Sequence, residues 1–208
     1  FLDSKTSQFW VSTQPHVAPQ RIVQRVKGRL QYLVRDEQPK PFQRNFAIRS
    51  LGSEERRLIE EYVGNQTQHH VYADSDFQCF LESLQIVDRS VDLSRMRKTS
   101  HGVYWYNLHL VLVHQERWRD ASRSRLIALR EMIQRVIRCK GWLLSRAGIL
   151  PDHIHLAVGC SFSDAPDEVA FGFLNNLAFV HDMKPVFQFG AYVGTFGEYD
   201  NRVAVGER

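Results

Sequence analysis

The chain has 208 residues, 43% of them hydrophobic, and a formal net charge of +4, which is enough to bury a core and excludes a disordered tail. No apolar run approaches the roughly 20 residues of a membrane span, and no signal-peptide pattern opens the sequence. Cys79, Cys139 and Cys160 form an odd set without C-x-x-C spacing, so a disulfide frame or zinc knuckle is excluded and a reducing, cytoplasmic setting is expected. The mild positive charge suits a polyanion, nucleoid DNA included, without requiring one.

Taken in chain order, Gln8–Gln14 reads as a short strand. Ala18-Pro19 opens a helix, because proline suits a first helical turn, and Ile22, Val23, Val26, Leu30, Leu33 and Val34 recur at helical spacing. The opposite face carries Arg21, Arg25, Lys27, Arg29 and Arg35; such a stripe is by default a solvated face, and otherwise a track for phosphates. Pro39 and Pro41 break the chain. The run from Asn45 to Leu51 predicts a strand. Gly52-Ser53 then starts a second helix, with Ser53 as N-cap and Glu54 and Glu55 in its first turn. That helix carries Tyr62 and Gln66, which the i, i+4 spacing puts on one face.

Residues 71–100 read as a connector with a short helix around Phe77, Phe80 and Leu81. Val103–Val113 predicts a long apolar strand, central in a sheet. A helix over 122–138 follows, then strands from Gly141 and across His153-Ile154-His155, a helix opened by Ala165-Pro166, and a last strand over 188–196. The order βαββαβ is that of a ferredoxin-like α+β unit with an antiparallel sheet. On a strand, His153 and His155 share a face and make half of a divalent-metal site. A structural role for a chance His-x-His is the alternative.

The two halves can be superimposed in sequence. An offset of 147 carries Phe9 onto Leu156, Ala18-Pro19 onto Ala165-Pro166 and Leu30 onto Leu177; after a two-residue gap, an offset of 145 carries Phe42-Gln43 onto Phe187-Gln188 and Gly52 onto Gly197. Two ferredoxin-like repeats are therefore expected, at 1–70 and 101–208, with the N-terminal one incomplete. On this register His153 and His155 fall on Thr6 and Gln8, while Tyr62 falls on Glu207. Each half keeps what the other lacks, so one composite site across a pseudo-twofold interface is expected.

The stretches Pro151-Asp-His-Ile-His-Leu156, Lys27-Gly-Arg29, Tyr192-Val-Gly-Thr-Phe-Gly197 and Tyr62-Val-Gly-Asn-Gln66 resemble those of the single-tyrosine HUH transposases, of the insertion-sequence 200/605 and REP-associated types. The resemblance implies a divalent ion, Mg²⁺ or Mn²⁺, on His153, His155 and Gln66. It implies Tyr62 as the nucleophile that attacks single-stranded DNA, in hairpin-bearing element ends, and becomes linked to the 5′ phosphate. It also implies a dimeric architecture, here fused into one polypeptide. Arg21, Arg25, Lys27, Arg29, Arg44 and Arg49 are the expected DNA-binding residues, with Arg95, Arg97 and Lys98 as further candidates.

Tyr192 and Tyr199 are rival nucleophiles, Tyr192 being read as packing in its strand. His69, His70 and His109 read as surface or core residues, and His114 as a residue that could approach the site. Competing functions are a domesticated hairpin-binding protein that no longer cuts, a replication initiator or relaxase with the same histidine pair, and an unrelated metal hydrolase.

Overall fold

The computed structural model describes residues 6–70 and 72–198; Tyr199 and Glu207 lie outside them. The architecture is α+β, as expected, with two sheets. Its elements are α1 (Pro19–Val34), β1 (Phe46–Arg49), α2 (Arg56–Gly64), α3 (Ser75–Leu84), β2 (Ile86–Val87), β3 (Arg97–Lys98), β4 (Gly102–Trp105), β5 (Asn107–His114), α4 (Arg123–Lys140), β6 (Leu143–Ile149), β7 (His153–Gly159), α5 (Pro166–Ala178) and β8 (Phe187–Phe196). No helix among the described residues is long and apolar enough to cross a membrane.

From β5 onward the chain follows the βαββαβ plan. The larger sheet has the order β2-β6-β7-β5-β8, and the pairings are antiparallel throughout. Strand alternation divides its side chains. Leu108, Leu110 and Leu112 of β5 and Ile154, Leu156 and Val158 of β7 enter the main core with Leu126, Leu129 and Ile133 of α4 and Phe173 and Leu177 of α5. The intervening residues, among them His109, Val111, His153 and His155, face the other way, on the side where α2 packs against β6 and β7.

Two sequence expectations need correction around β4. Val103–Val113 is not one strand: it divides at Tyr106, and β4 pairs with β1 and β3 in a small second sheet while β5 joins the large one. Ser50 makes the division. Its N–H donates to the Trp105 carbonyl at 2.8 Å and its hydroxyl accepts from the Asn107 N–H at 3.0 Å, so a side chain takes a ladder position. Residues 72–100 do more than connect, since α3 packs beside α4 and β2 extends the large sheet.

Two further expectations fail in the N-terminal half. Residues 8–14 form no strand: neither sheet includes them, and an alternating pattern outside a sheet does not hold a strand in water. Ser53 does not cap α2, which begins at Arg56 after Glu55 with no side-chain cap. The Thr195 hydroxyl donates to the Leu51 carbonyl and Gly52 lies against the Thr195 carbonyl, and the chain bends at Ser53 and Glu54 before the helix begins.

Contacts between the halves occur in reciprocal pairs. Gln20 N–H donates to the Phe162 carbonyl at 3.0 Å and Asp167 N–H donates to the Pro15 carbonyl at 3.2 Å; the offset of 147 exchanges the two bonds. At the other junction the Ser50 hydroxyl donates to the Phe196 carbonyl at 2.9 Å, and Thr195 to that of Leu51. Gly52 abuts the Thr195 carbonyl, and Gly197 abuts that of Ser50. An offset of 145 exchanges these as well. Gly197 also holds a φ of 152°, which only glycine adopts readily. Paired exchange of this kind is the signature of an isologous two-fold contact.

Candidate active site

The face of the large sheet opposite α4 and α5 is where the histidines collect. In the β5–β7 register Val111 lies opposite His155 and Val113 opposite His153, so both histidines and His109 project to one side. The expected pair is buried: His153 is 4% exposed and His155 5%. Burial, with His153 and His109 adding their own repulsion, pushes the His155 imidazole down to about 3, and burial pushes His109 down to about 4. Both are therefore neutral at pH 7, with ring lone pairs in place of positive charge.

Each histidine of the pair has its Nδ1 engaged. His153 Nδ1 donates to Asp152 Oδ1 at 2.6 Å, and the other oxygen of Asp152 pairs with Arg117 at 3.0 Å. Burial works to raise the Asp152 carboxyl; its bond to His153 and the Arg117 charge nevertheless hold it below the ordinary carboxylate value. His155 Nδ1 lies 3.1 Å from His109 Nε2. In both rings this leaves Nε2 as the other nitrogen.

Above the pair sits α2. Its residue Val63 is fully buried in a small cluster with Leu93, Ala157 and Phe196, and an Arg56–Glu60 ion pair of 2.5 Å steadies its first turn. This docking puts the Tyr62 ring 5.4 Å from the His155 ring, edge-on at 84°, and 6.0 Å from His109. Tyr62 remains 44% exposed, so the ring is open to an incoming strand. Gln66 does not continue the helix; it begins a short 3₁₀ turn, Gln66–His69. It is buried, its amide N–H₂ donates to the Tyr62 carbonyl at 2.9 Å, and its stem lies over Gly148, the residue opposite His155 on β6.

The structure thus brings Tyr62, Gln66, His153 and His155 together, and it adds residues that local spacing did not place there. His109 is no mere core residue, and His70 stacks edge-on to His153 at 5.3 Å. His69 lies 5.6 Å from the Tyr62 ring. Tyr192 is not buried packing: it is 60% exposed, and its ring is 5.7 Å from that of His109. The signal for these is strand pairing, since residues 109 and 192 share the 155 face only once β5 is known to lie between β7 and β8. His114, by contrast, stays out of the site. It is fully buried on the core side, donates to the Trp118 carbonyl at 2.9 Å and packs on Phe187 and His181.

Among the described residues, no three His, Cys, Asp or Glu side chains converge as a metal site. A third protein ligand for a cation on the histidine pair would therefore be of another kind, such as an amide oxygen. Gln66 fits: its nitrogen is used on the Tyr62 carbonyl, and its oxygen is the atom left to donate.

The expected DNA-binding residues separate into two groups. Arg21, Arg25 and Arg29 are exposed along α1, and Arg44 is exposed ahead of β1. Lys27 instead bonds the Gln43 and Asn45 carbonyls, tying α1 to the approach to β1. Arg49 donates to the Glu198 carbonyl at 2.7 Å and lies 4.2 Å over the Trp105 ring. Arg97 is likewise engaged, with the Cys160 carbonyl at 2.8 Å. A cleft of about 590 Å³ beside α1 is lined by Lys27, Arg44, Lys98 and His101 among others, and by no Asp or Glu among the described residues.

Fold and site together define a ferredoxin-like α+β protein with a buried histidine pair on one sheet face and a tyrosine helix docked over it. No protein-family model and no curated protein matches the sequence. Two solved structures are similar in part. One is a candidate transposase from Deinococcus radiodurans R1, with TM-score 0.42 and 15% identity, covering 51% of this chain and 89% of that one. Another is a REP-associated tyrosine transposase bound to a REP hairpin, with TM-score 0.40 and 14% identity, covering 45% of this chain and 58% of that one.

Proposed function

We propose that this chain is a metal-dependent strand transferase for single-stranded DNA, working through a tyrosine–5′-phosphate linkage at one composite site. The observation that carries this reading is the Tyr62 ring held 5.4 Å from His155, over a histidine pair whose Nδ1 atoms are both taken by buried neighbours. His153, His155 and Gln66 would hold Mg²⁺ or Mn²⁺. Such an ion, when bound, withdraws charge from the non-bridging phosphate oxygens.

The remaining chemistry belongs to the chain. The Tyr62 oxygen attacks phosphorus; the new P–O bond forms as the bond to the 3′ oxygen breaks. The phenol proton passes to solvent, which reaches the exposed ring, and the departing 3′ oxygen takes one up. Because the phosphotyrosine conserves the ester bond, a 3′ hydroxyl can reverse the step and rejoin strands. Exposed Arg21, Arg25 and Arg29 on α1, and Arg44 in the acid-free cleft, supply the charge that a phosphate backbone needs.

The same reading treats the chain as a fused pseudo-dimer, with α1, β1 and α2 contributed by the N-terminal repeat and the histidines by the C-terminal one. The reciprocal hydrogen bonds between the halves support it. The test is incubation with labelled single-stranded DNA pools and Mg²⁺ or Mn²⁺, followed by a denaturing gel. A metal-dependent protein–DNA adduct in wild type, absent in Tyr62→Phe and in His153→Ala, is the expected result. An adduct that survives Tyr62→Phe overturns the assignment of the nucleophile. Tight binding without any adduct points to a hairpin-binding protein that does not cut.

A further inference from the structure

His109 and His155 are two buried imidazoles with facing nitrogens 3.1 Å apart. Their rings are separated by 5.3 Å between centroids at an interplanar angle of 22°, the arrangement of an in-plane N–H···N bond and not of face-to-face stacking. Two bare lone pairs at that distance would repel, so one of the facing nitrogens carries the proton. A neutral imidazole has one N–H. If His155 Nδ1 carries it, His155 Nε2 is a free lone pair. If His109 Nε2 carries it, His155 is protonated at Nε2 and is useless as a ligand there.

His153 shows which alternative the site is built around. Its Nδ1 faces a carboxylate oxygen at 2.6 Å, an acceptor that can only receive a proton, so in the neutral ring Nε2 is the bare nitrogen. We infer that His109 is a positioning residue that does for His155 what Asp152 does for His153: it accepts the Nδ1 proton and thereby fixes the Nε2 lone pair and the ring plane for cation binding. The inference rests on the metal-site reading above and adds a residue to it. A buried partner on the far nitrogen is the usual means by which a ligating histidine has its tautomer set, and its removal typically weakens metal binding 10- to 100-fold.

The position of His109 suits this role. It sits one strand from His155 on the same face, two residues along from the residue paired with His155. It is 8% exposed, so it is not presented to a substrate strand. A glutamine at the same place can still offer an acceptor oxygen, whereas a leucine can only fill space.

The experiment is a titration of Mn²⁺ into the 208-residue protein without DNA, by calorimetry and by loss of the free-ion paramagnetic resonance signal. Wild type, His109→Leu, His109→Gln and His155→Ala are compared, with thermal melts of the metal-free proteins as the folding control. The expected result is a 10- to 100-fold weaker site in His109→Leu and recovery to within about threefold of wild type in His109→Gln, with closely similar melts for the two. Wild-type affinity in His109→Leu overturns the positioning role. A glutamine variant as weak as the leucine variant overturns the acceptor role specifically. If wild type and His155→Ala bind Mn²⁺ equally, the metal reading itself fails and takes the inference with it, an outcome distinct from either of the others.

Discussion

Gly148 has no side chain because Gln66 and Val63 occupy the space one would need: a Cβ built there comes within 2.7 Å of Gln66 Cγ and 2.8 Å of the Val63 carbonyl. Gly148 is also the β6 partner of His155. One small residue therefore sets the height of the tyrosine helix above the histidine pair. Gly148→Ala is expected to lift α2, costing about 1–3 kcal/mol of stability by overpacking. It is also expected to cut adduct yield by roughly 10²-fold, the scale of loss for a reacting group misplaced by about an ångström. Gly64→Ala, where the nearest atom lies at 3.6 Å, serves as control and retains wild-type yield.

Tyr192 tests the assignment of the nucleophile from the other side. It shares the histidine face and is more exposed than Tyr62, yet it belongs to a sheet strand and contacts His109 rather than the pair. Tyr192→Phe is expected to leave adduct formation within about threefold of wild type, far short of the roughly 10²-fold loss that misplacing a reacting group brings. Quantifying the shifted band on the same gel as Tyr62→Phe decides it.

The arginines of α1 and Lys27 are expected to behave differently. Replacing Arg21, Arg25 and Arg29 with alanine should weaken single-stranded DNA binding and flatten its salt dependence, by roughly 0.7 in log–log slope for each phosphate no longer neutralised. Lys27→Ala should change that slope less than the triple replacement does, because its ammonium is held on two carbonyls, while loosening α1. Binding isotherms across a salt series, with proteolysis of the helix, separate the two effects.

Acid should destabilise this fold earlier than carboxylate titration alone predicts. His109, His114, His155 and His181 are all held below the ordinary histidine value, chiefly by burial, and the Nε2 atoms of His114 and His181 are buried without a partner. For a histidine with a depressed folded pKa, the unfolded chain binds more protons once pH drops below about 6.5. Stability is therefore complete above that value and is lost as pH falls, down toward about 4 for His109 and about 3 for His155. The limiting slope is about 1.4 kcal/mol per pH unit for each group. Urea unfolding with chelator present, from about pH 7.5 to about pH 5, should show this loss; a flat profile contradicts it.

What could be read from the sequence is what depends on local spacing. The His153–His155 alternation, the Tyr62–Gln66 turn and the helical periods of α1, α4 and α5 need no distant partner to be recognised. The expected repeat rests on Ala-Pro and Phe-Gln recurring at fixed separations, and the structure joins the regions beside the two Ala-Pro pairs by exchanged hydrogen bonds. The parts that escaped depend on pairing. The division at Tyr106 is made by Ser50, a residue far upstream in the chain. The capping signal at Ser53 lost to contacts from β8. His109 and Tyr192 look like ordinary strand residues until the order β7-β5-β8 puts them on one surface.

The docking of α2 on β6 and β7 also bears on when the site is assembled. Tyr62 leaves the ribosome well before His153 and His155, and the helix that carries it rests on residues such as Gly148 and Ala157 that are made long after it. A nascent chain ending anywhere before β7 holds Tyr62 without His153 and His155 beneath it. On the function proposed above, Tyr62 stays apart from the histidine pair until synthesis has passed the last strand and the sheet has closed. Translation order thus makes assembly of the site a late event, set by topology.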